Sequence, residues 1–143
     1  MAPSTAPEAV SALVHTYAEL LDDGDLDGVA DLFAGATWRS GGGTVRCGTE
    51  EVRRAYDPVI LYEGVPRTHH LISNLTVEIE GELARSRCYF SVVQAAPGRQ
   101  PEIILAGRYH DEFALGPASW RFTDRLILAD LIGDLRRHMR APR

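Results

Sequence analysis

The hydrophobic period changes once along the chain, at Pro66, and that change limits the folds open to it. Before Pro66, apolar residues recur at three- and four-residue steps, the spacing of one helix face. After it they alternate with polar residues, the spacing of a half-buried strand. Helices first and then strands, with no helix between the strands, predict an α+β fold with a mostly antiparallel sheet. The 143 residues suffice for one domain, 1–143 with its core about 7–138, and for one sizeable core.

Residues 9–23 place Val10, Leu13, Val14, Tyr17, Ala18 and Leu21 on one face of a first helix. Gly24 is its expected C-cap, and Asp25 the N-cap of a second helix that buries Leu26, Val29, Ala30 and Phe33. Residues 36–38 predict a short strand and the glycines 41–43 a turn. Thr49 is the predicted N-cap of a third helix, with Val52, Tyr56, Val59 and Ile60 on one side. In the first long strand, Leu71, Ser73, Leu75, Val77 and Ile79 alternate with His70, Ile72, Asn74, Thr76 and Glu78. Further strands are expected over 83–94, 103–115 and 120–129, separated at Pro97-Gly98 and Gly116-Pro117. A twisted sheet under three amphipathic helices leaves a concavity, on the order of 300–1,000 Å³, suited to a small apolar ligand.

Composition removes several classes of function. Acidic residues outnumber basic ones, 20 to 15, for a net charge of −5. Neither nucleic acid nor an anionic membrane is therefore an expected partner. All 15 basic residues are arginine, which excludes Schiff-base chemistry and a P-loop lysine. Cys47 and Cys88 form no disulfide framework, and the five histidines fall into no metal-ligand spacing. No metal is expected. The opening residues lack a basic stretch followed by an apolar one, and no run is long enough to span a bilayer, so a cytoplasmic chain is expected. The basic tail of Arg136, Arg137, Arg140 and Arg143 reads as a solvated helix end or an oligomer contact.

Asp22 is the first candidate for chemistry. It extends the apolar stripe of the first helix into the last turn, where the helix dipole disfavours a carboxylate. There its pKa rises unless a cation or donor compensates; the bland alternative is a solvated turn residue. His69 and His70 are adjacent on a strand, so one points inward and the other out. An inward histidine paired with Asp22 is a general base near neutral pH, whereas an unpaired one is a core residue. Tyr17 and Tyr109 are buried hydroxyls that polarise a carbonyl or serve only the core. Arg125 is either a pocket cation or an outward strand residue. Trp38, Trp120 and Phe122 read as core or pocket wall, and Tyr56 and Phe90 join Tyr109 and Trp38 as candidate substrate contacts.

The run Tyr17-Ala18-Glu19-Leu20-Leu21-Asp22-Asp23-Gly24-Asp25-Leu26-Asp27, then Leu32-Phe33 and Ala36-Thr37-Trp38, resembles the opening of SnoaL-like proteins of the nuclear-transport-factor-two-like superfamily. Thr68-His69-His70-Leu71-Ile72-Ser73-Asn74, Gly107-Arg108-Tyr109-His110-Asp111 and Trp120-Arg121-Phe122 with Arg125 match its later signposts, over roughly residues 7–138. The resemblance implies a cone-shaped α+β barrel, three N-terminal helices closing a curved sheet around an apolar pocket, and a homodimer or higher homo-oligomer. It implies activities such as polyketide cyclisation, dehydration, dehydrohalogenation, isomerisation and epoxide hydrolysis without a cofactor; other members bind ligands or partners, as dioxygenase small subunits do. By resemblance to scytalone dehydratase and hexachlorocyclohexane dehydrochlorinase, Asp22 and His70 are a catalytic pair, and Arg125 matches an arginine of the latter. The departures are equally specific. The dehydrochlorinase lysine falls at Tyr17, scytalone dehydratase's second histidine has no counterpart in residues 88–94, and ketosteroid isomerase's two acids fall near Ser40 and Tyr109.

Two functions follow as expectations. In the first, the chain is a cofactor-free lyase, cyclase or isomerase acting on a small apolar molecule. Asp22 orients His70, His70 removes a proton from carbon, and Tyr17, Tyr109 and Arg125 stabilise the developing charge. In the second it is a ligand-binding or accessory subunit, and Asp22 and His70 only support the helix–sheet junction.

Overall fold

Thr5 closes the N-terminus of α1 (Ala6–Asp22): its hydroxyl accepts the backbone N–H of Glu8, and the Glu8 carboxylate accepts that of Thr5. This reciprocal pair satisfies two donors that a helix start leaves free. The computed structural model in which it is seen describes residues 4–141. The helix starts earlier than the predicted residue 9, because Pro7 lies in its first turn, where a missing N–H costs nothing. Val10, Val14, Tyr17, Ala18 and Leu21 are buried along one stripe. Asp23, rather than Gly24, is the C-cap, and Gly24 follows it with φ +79°. A Cβ on Gly24 would lie 2.0 Å from the carbonyl oxygen of Gly64, so the chain turns there against another backbone.

Asp25 caps α2 (Leu26–Asp31), its carboxylate accepting the N–H of Gly28 at 2.9 Å. Leu26, Val29 and Ala30 are buried, as is Phe33 just beyond the helix. The short strand is β1 (Thr37–Ser40), and it pairs across the glycine turn with β2 (Val45–Cys47), which periodicity did not predict. That pairing displaces the expected cap. Cys47 still faces Thr37 in the ladder, Gly48 turns the chain at φ +80°, and α3 (Gly48–Ala55) begins at once, with Thr49 already inside it. No side chain caps this helix.

Four long strands complete the sheet: β3 (Thr68–Glu80), β4 (Leu83–Gln94), β5 (Glu102–Leu115) and β6 (Trp120–Ile132). The order is β2-β1-β6-β5-β4-β3, antiparallel except where β1 lies parallel to β6. Three helices pack on this curved sheet, the expected α+β architecture. The simple alternation predicted for β3 fails at one place. A bulge between Ser73 and Thr76, with Asn74 at φ +55°, inserts a residue and reverses the inward phase. His70 and Ile72 point to the helices before it and Leu75 and Val77 after it, leaving Leu71 51% exposed. Between the layers, Phe33 stacks on Phe122, which in turn packs against Phe113. No described helix is long and apolar enough to cross a membrane.

Beyond β6 the chain turns back as a strap rather than a solvated helix end. The N–H of Gly133 donates to Ile104 O, that of Ile60 to His138 O, and that of Arg140 to Pro58 O. The tail arginines are tied in as well: Arg136 and Arg137 pair with Asp134, and Arg140 donates to Asp57 O. Arg143 lies outside the described residues.

Candidate active site

Thr68 and His70 are two apart on β3, so both side chains emerge on the face that α1 covers. Asp22, the last residue of α1, meets both. Its Oδ1 accepts the Thr68 hydroxyl at 2.8 Å and lies 2.6 Å from His70 Nδ1; its Oδ2 accepts the His70 backbone N–H at 2.8 Å. The His70 side chain is 5% exposed and that of Asp22 17%. Burial pushes the Asp22 carboxyl up, but the His70 side chain and backbone, with Thr68, outweigh it and hold its pKa below the usual value. The expectation of a raised pKa was conditional on the absence of donors, and the donors are present. An ionised carboxylate only accepts, so Nδ1 of His70 is the donor to it and Nε2 is the ring nitrogen that Asp22 leaves unengaged. His69 is on the opposite, exposed side. An open cleft of about 410 Å³ lies at this end of α1, lined by Asp22, Thr68, His69 and Val93 among others.

A second histidine stands beside the pair. His138, in the strap, is 5% exposed, and its ring centre is 6.5 Å from that of His70. Burial, followed by the neighbouring His70, lowers its pKa to about 4, so it is neutral at pH 7. Its Nδ1 is buried with no hydrogen-bond partner. The strap that carries it is pinned through Arg137 O, which accepts both the Gln94 side-chain amide at 3.1 Å and the Tyr62 hydroxyl at 2.6 Å. Sequence reasoning missed His138, Thr68 and Gln94. Nothing in the pattern distinguishes His138 from the arginines around it.

The remaining predicted site residues gather in a separate group. Tyr17, one and a half turns before Asp22 on α1, donates to or accepts from Tyr56 at 2.6 Å, and Trp38 Nε1 donates to Tyr56 at 3.2 Å. Arg125 lies between the rings of Tyr17 and Tyr109, 4.2 and 3.9 Å from their centres. Tyr109 stacks on Phe90 at 4.3 Å, and the Phe90 ring rests over Gly107, where a Cβ would not fit. Arg125 is not the outward strand residue that was one of its two readings. Its side chain is 0% exposed, and Asp111, its register partner on β5, binds it through two 2.8 Å hydrogen bonds. Burial disfavours the Arg125 charge, yet Asp111 more than restores it, and the pKa stays above its ordinary value. Burial also raises the pKa values of Tyr17, Tyr56 and Tyr109, so all three remain protonated donors. Among the described residues, no cluster of three or more histidine, cysteine or acidic side chains is spaced to hold a metal ion.

A family model for the SnoaL-like domain matches residues 3–126. No curated protein matches the chain. Among solved structures it is similar to a candidate scytalone dehydratase from Novosphingobium aromaticivorans, with TM-score 0.72 and 19% identity over 88% of this chain and 85% of that one. It is also similar to a candidate dehydratase of the NTF2-like family from Streptomyces avermitilis, with TM-score 0.73 and 16% identity over 91% and 99%. A third neighbour is the beta subunit of a candidate aromatic-ring-hydroxylating dioxygenase from Novosphingobium aromaticivorans, with TM-score 0.70 and 19% identity over 87% and 88%. At such identities the likeness carries the fold alone. The domain match spans most of the sequence, and by it the chain belongs to the SnoaL-like family.

Proposed function

We propose that the chain is a cofactor-free lyase, cyclase or isomerase that removes a proton from carbon in a small apolar molecule, with His70 as general base and Asp22 as its orienting partner. One observation carries this: Asp22 binds both the ring and the backbone of His70. The imidazole is thereby held in the tautomer that leaves Nε2 free to accept a proton. Asp22 also stabilises the imidazolium formed by that transfer, as a buried carboxylate does beside a base. The proton returns from Nε2 to another carbon in an isomerisation, or to a departing hydroxyl in a dehydration. The SnoaL-like membership and the dehydratase neighbours support the same class. We include in this reading a homo-oligomer, since Leu71, Tyr89, Leu131 and Ile132 leave apolar surface in water.

The test is proton exchange at the α-carbon of 2-tetralone in D₂O, followed by NMR. The native chain exchanges these protons faster than buffer, and His70→Ala does so no faster than buffer. Equal exchange by both folded proteins refutes the assignment.

A second reading, a non-catalytic accessory subunit, draws on the aromatic group. Tyr17 pairs with Tyr56 and Arg125 with Asp111, as in the interior of a structural module, with Arg125 Nη1 alone left without a partner. The dioxygenase beta subunit among the neighbours fits this reading. It predicts stable co-purification with a larger partner chain and no proton exchange.

A further inference from the structure

His138 is the one buried histidine that the proposed chemistry leaves unused. Native interiors rarely leave a polar atom without a partner, and each exception calls for a reason. Here the orphan is Nδ1 of a ring 6.5 Å, centre to centre, from the ring of His70. Asp22 already occupies His70 Nδ1, so Nε2 is the nitrogen of that ring left for a ligand. With centres 6.5 Å apart, the two rings lie close enough for one small molecule to touch both. The position is held firmly. Met139 bridges to Val59, Ile60 N–H donates to His138 O at 2.8 Å, and Gln94 grips the preceding carbonyl.

We propose that His138 contacts the substrate directly: its imidazole donates from Nδ1 to the oxygen of a carbonyl whose neighbouring carbon gives its proton to His70. As the C–H bond breaks, its electron pair forms the C=C bond and the carbonyl π pair moves to the oxygen. The proton goes to His70 Nε2, and the enolate oxygen is held by the His138 N–H. A neutral imidazole suits the task, because it donates a hydrogen bond without protonating the enolate outright. Of the groups facing His138, His70 from β3 works with burial to keep the ring neutral and Asp22 from α1 works against it, while Asp134 and Arg137 of its own segment pair with each other. The substrate class narrows accordingly to apolar ketones or their enols. This inference rests on His70 acting as the base, but the oxygen contact is measurable apart from turnover.

The probe is 2-naphthol, whose hydroxyl is an enol fixed in an aromatic ring, with naphthalene as the control lacking oxygen. Dissociation constants are measured for the native chain, His138→Phe and His138→Asn. The native chain prefers naphthol by about tenfold, the scale of one buried hydrogen bond. His138→Phe, which keeps a ring without nitrogens, loses the preference, and His138→Asn, with a polar atom near the place of Nδ1, recovers most of it. No preference in the native chain, or an undiminished preference in His138→Phe, overturns the proposal. Should His138→Phe not fold, the His138 Nδ1 resonance of the ¹⁵N-labelled native chain decides: it shifts with naphthol and not with naphthalene, and the same response to both overturns the contact. A naphthol preference that depends on His138, together with proton exchange unaffected by His70→Ala, would leave the oxygen contact standing and remove the base.

Discussion

Asp22 and His70 are joined at two points, ring to carboxylate at 2.6 Å and backbone N–H to carboxylate at 2.8 Å, so neither side chain turns without breaking the other's contact. Asp22→Asn keeps the shape but removes the charge, and an amide nitrogen facing Nδ1 no longer selects the productive tautomer. Proton abstraction falls by about 100-fold or more, the usual share of a positioned base. Asp22→Ala also strands the donors of Thr68 and His70 and costs about 2–3 kcal/mol. Rates with 2-tetralone and urea denaturation measure the two effects separately.

His138 makes the fold sensitive to mild acid. Its folded pKa of about 4 lies below the ordinary 6.5, so within that window the unfolded chain binds a proton that the folded chain refuses. Stability therefore is full above pH 6.5 and falls as pH drops towards 4, by about 3 kcal/mol from this group. Asp22, whose folded pKa is also depressed, adds its loss only below the unfolded carboxylate value of about pH 4. Urea titrations at pH 7, 5.5 and 4 show the first loss in the native chain and a smaller one in His138→Phe.

Arg125 and Asp111 form a bidentate pair with both side chains fully buried. Removing one partner leaves an uncompensated charge in the core and costs about 3–5 kcal/mol. Arg125→Met alone and Asp111→Leu alone therefore destabilise strongly, and the double variant recovers most of the loss. A double-mutant cycle by thermal or urea unfolding measures the coupling.

Gly24→Ala probes how α1 is set against the sheet. The positive φ alone costs about 1–2 kcal/mol for a residue with a Cβ, and the new atom meets Gly64 O. Lower stability and slower proton abstraction are expected together, since Asp22 lies two residues away.

The period change at Pro66 made the α+β order legible, and the buried stripe of α1 follows the predicted one. The Asp22–His70 meeting was suggested by resemblance and not by spacing, because 48 residues of chain separate them. Long-range side-chain contacts leave little local trace. The bulge at Ser73–Thr76 was hidden for a different reason: Leu71, Leu75 and Val77 fit one strand pattern, and only pairing with β4 shows where the phase breaks. Arg125 gave no sign of its partner, since Asp111 is a cross-strand neighbour on β5. His138 was invisible because the strap is placed by bonds that its backbone makes with Ile60 and Pro58 and with the distant side chains of Tyr62 and Gln94, which leave no pattern in the strap's own residues.

The most direct measurement is the ring opening of 5-nitrobenzisoxazole, in which a base takes the C3 proton, the N–O bond breaks and a coloured cyanophenolate forms. It needs neither a natural substrate nor an oxygen contact, only a positioned base in an apolar site. The native chain accelerates it over buffer, and His70→Ala, with its fold intact, loses about 100-fold or returns to background. Equal rates for the native chain and folded His70→Ala would contradict the account.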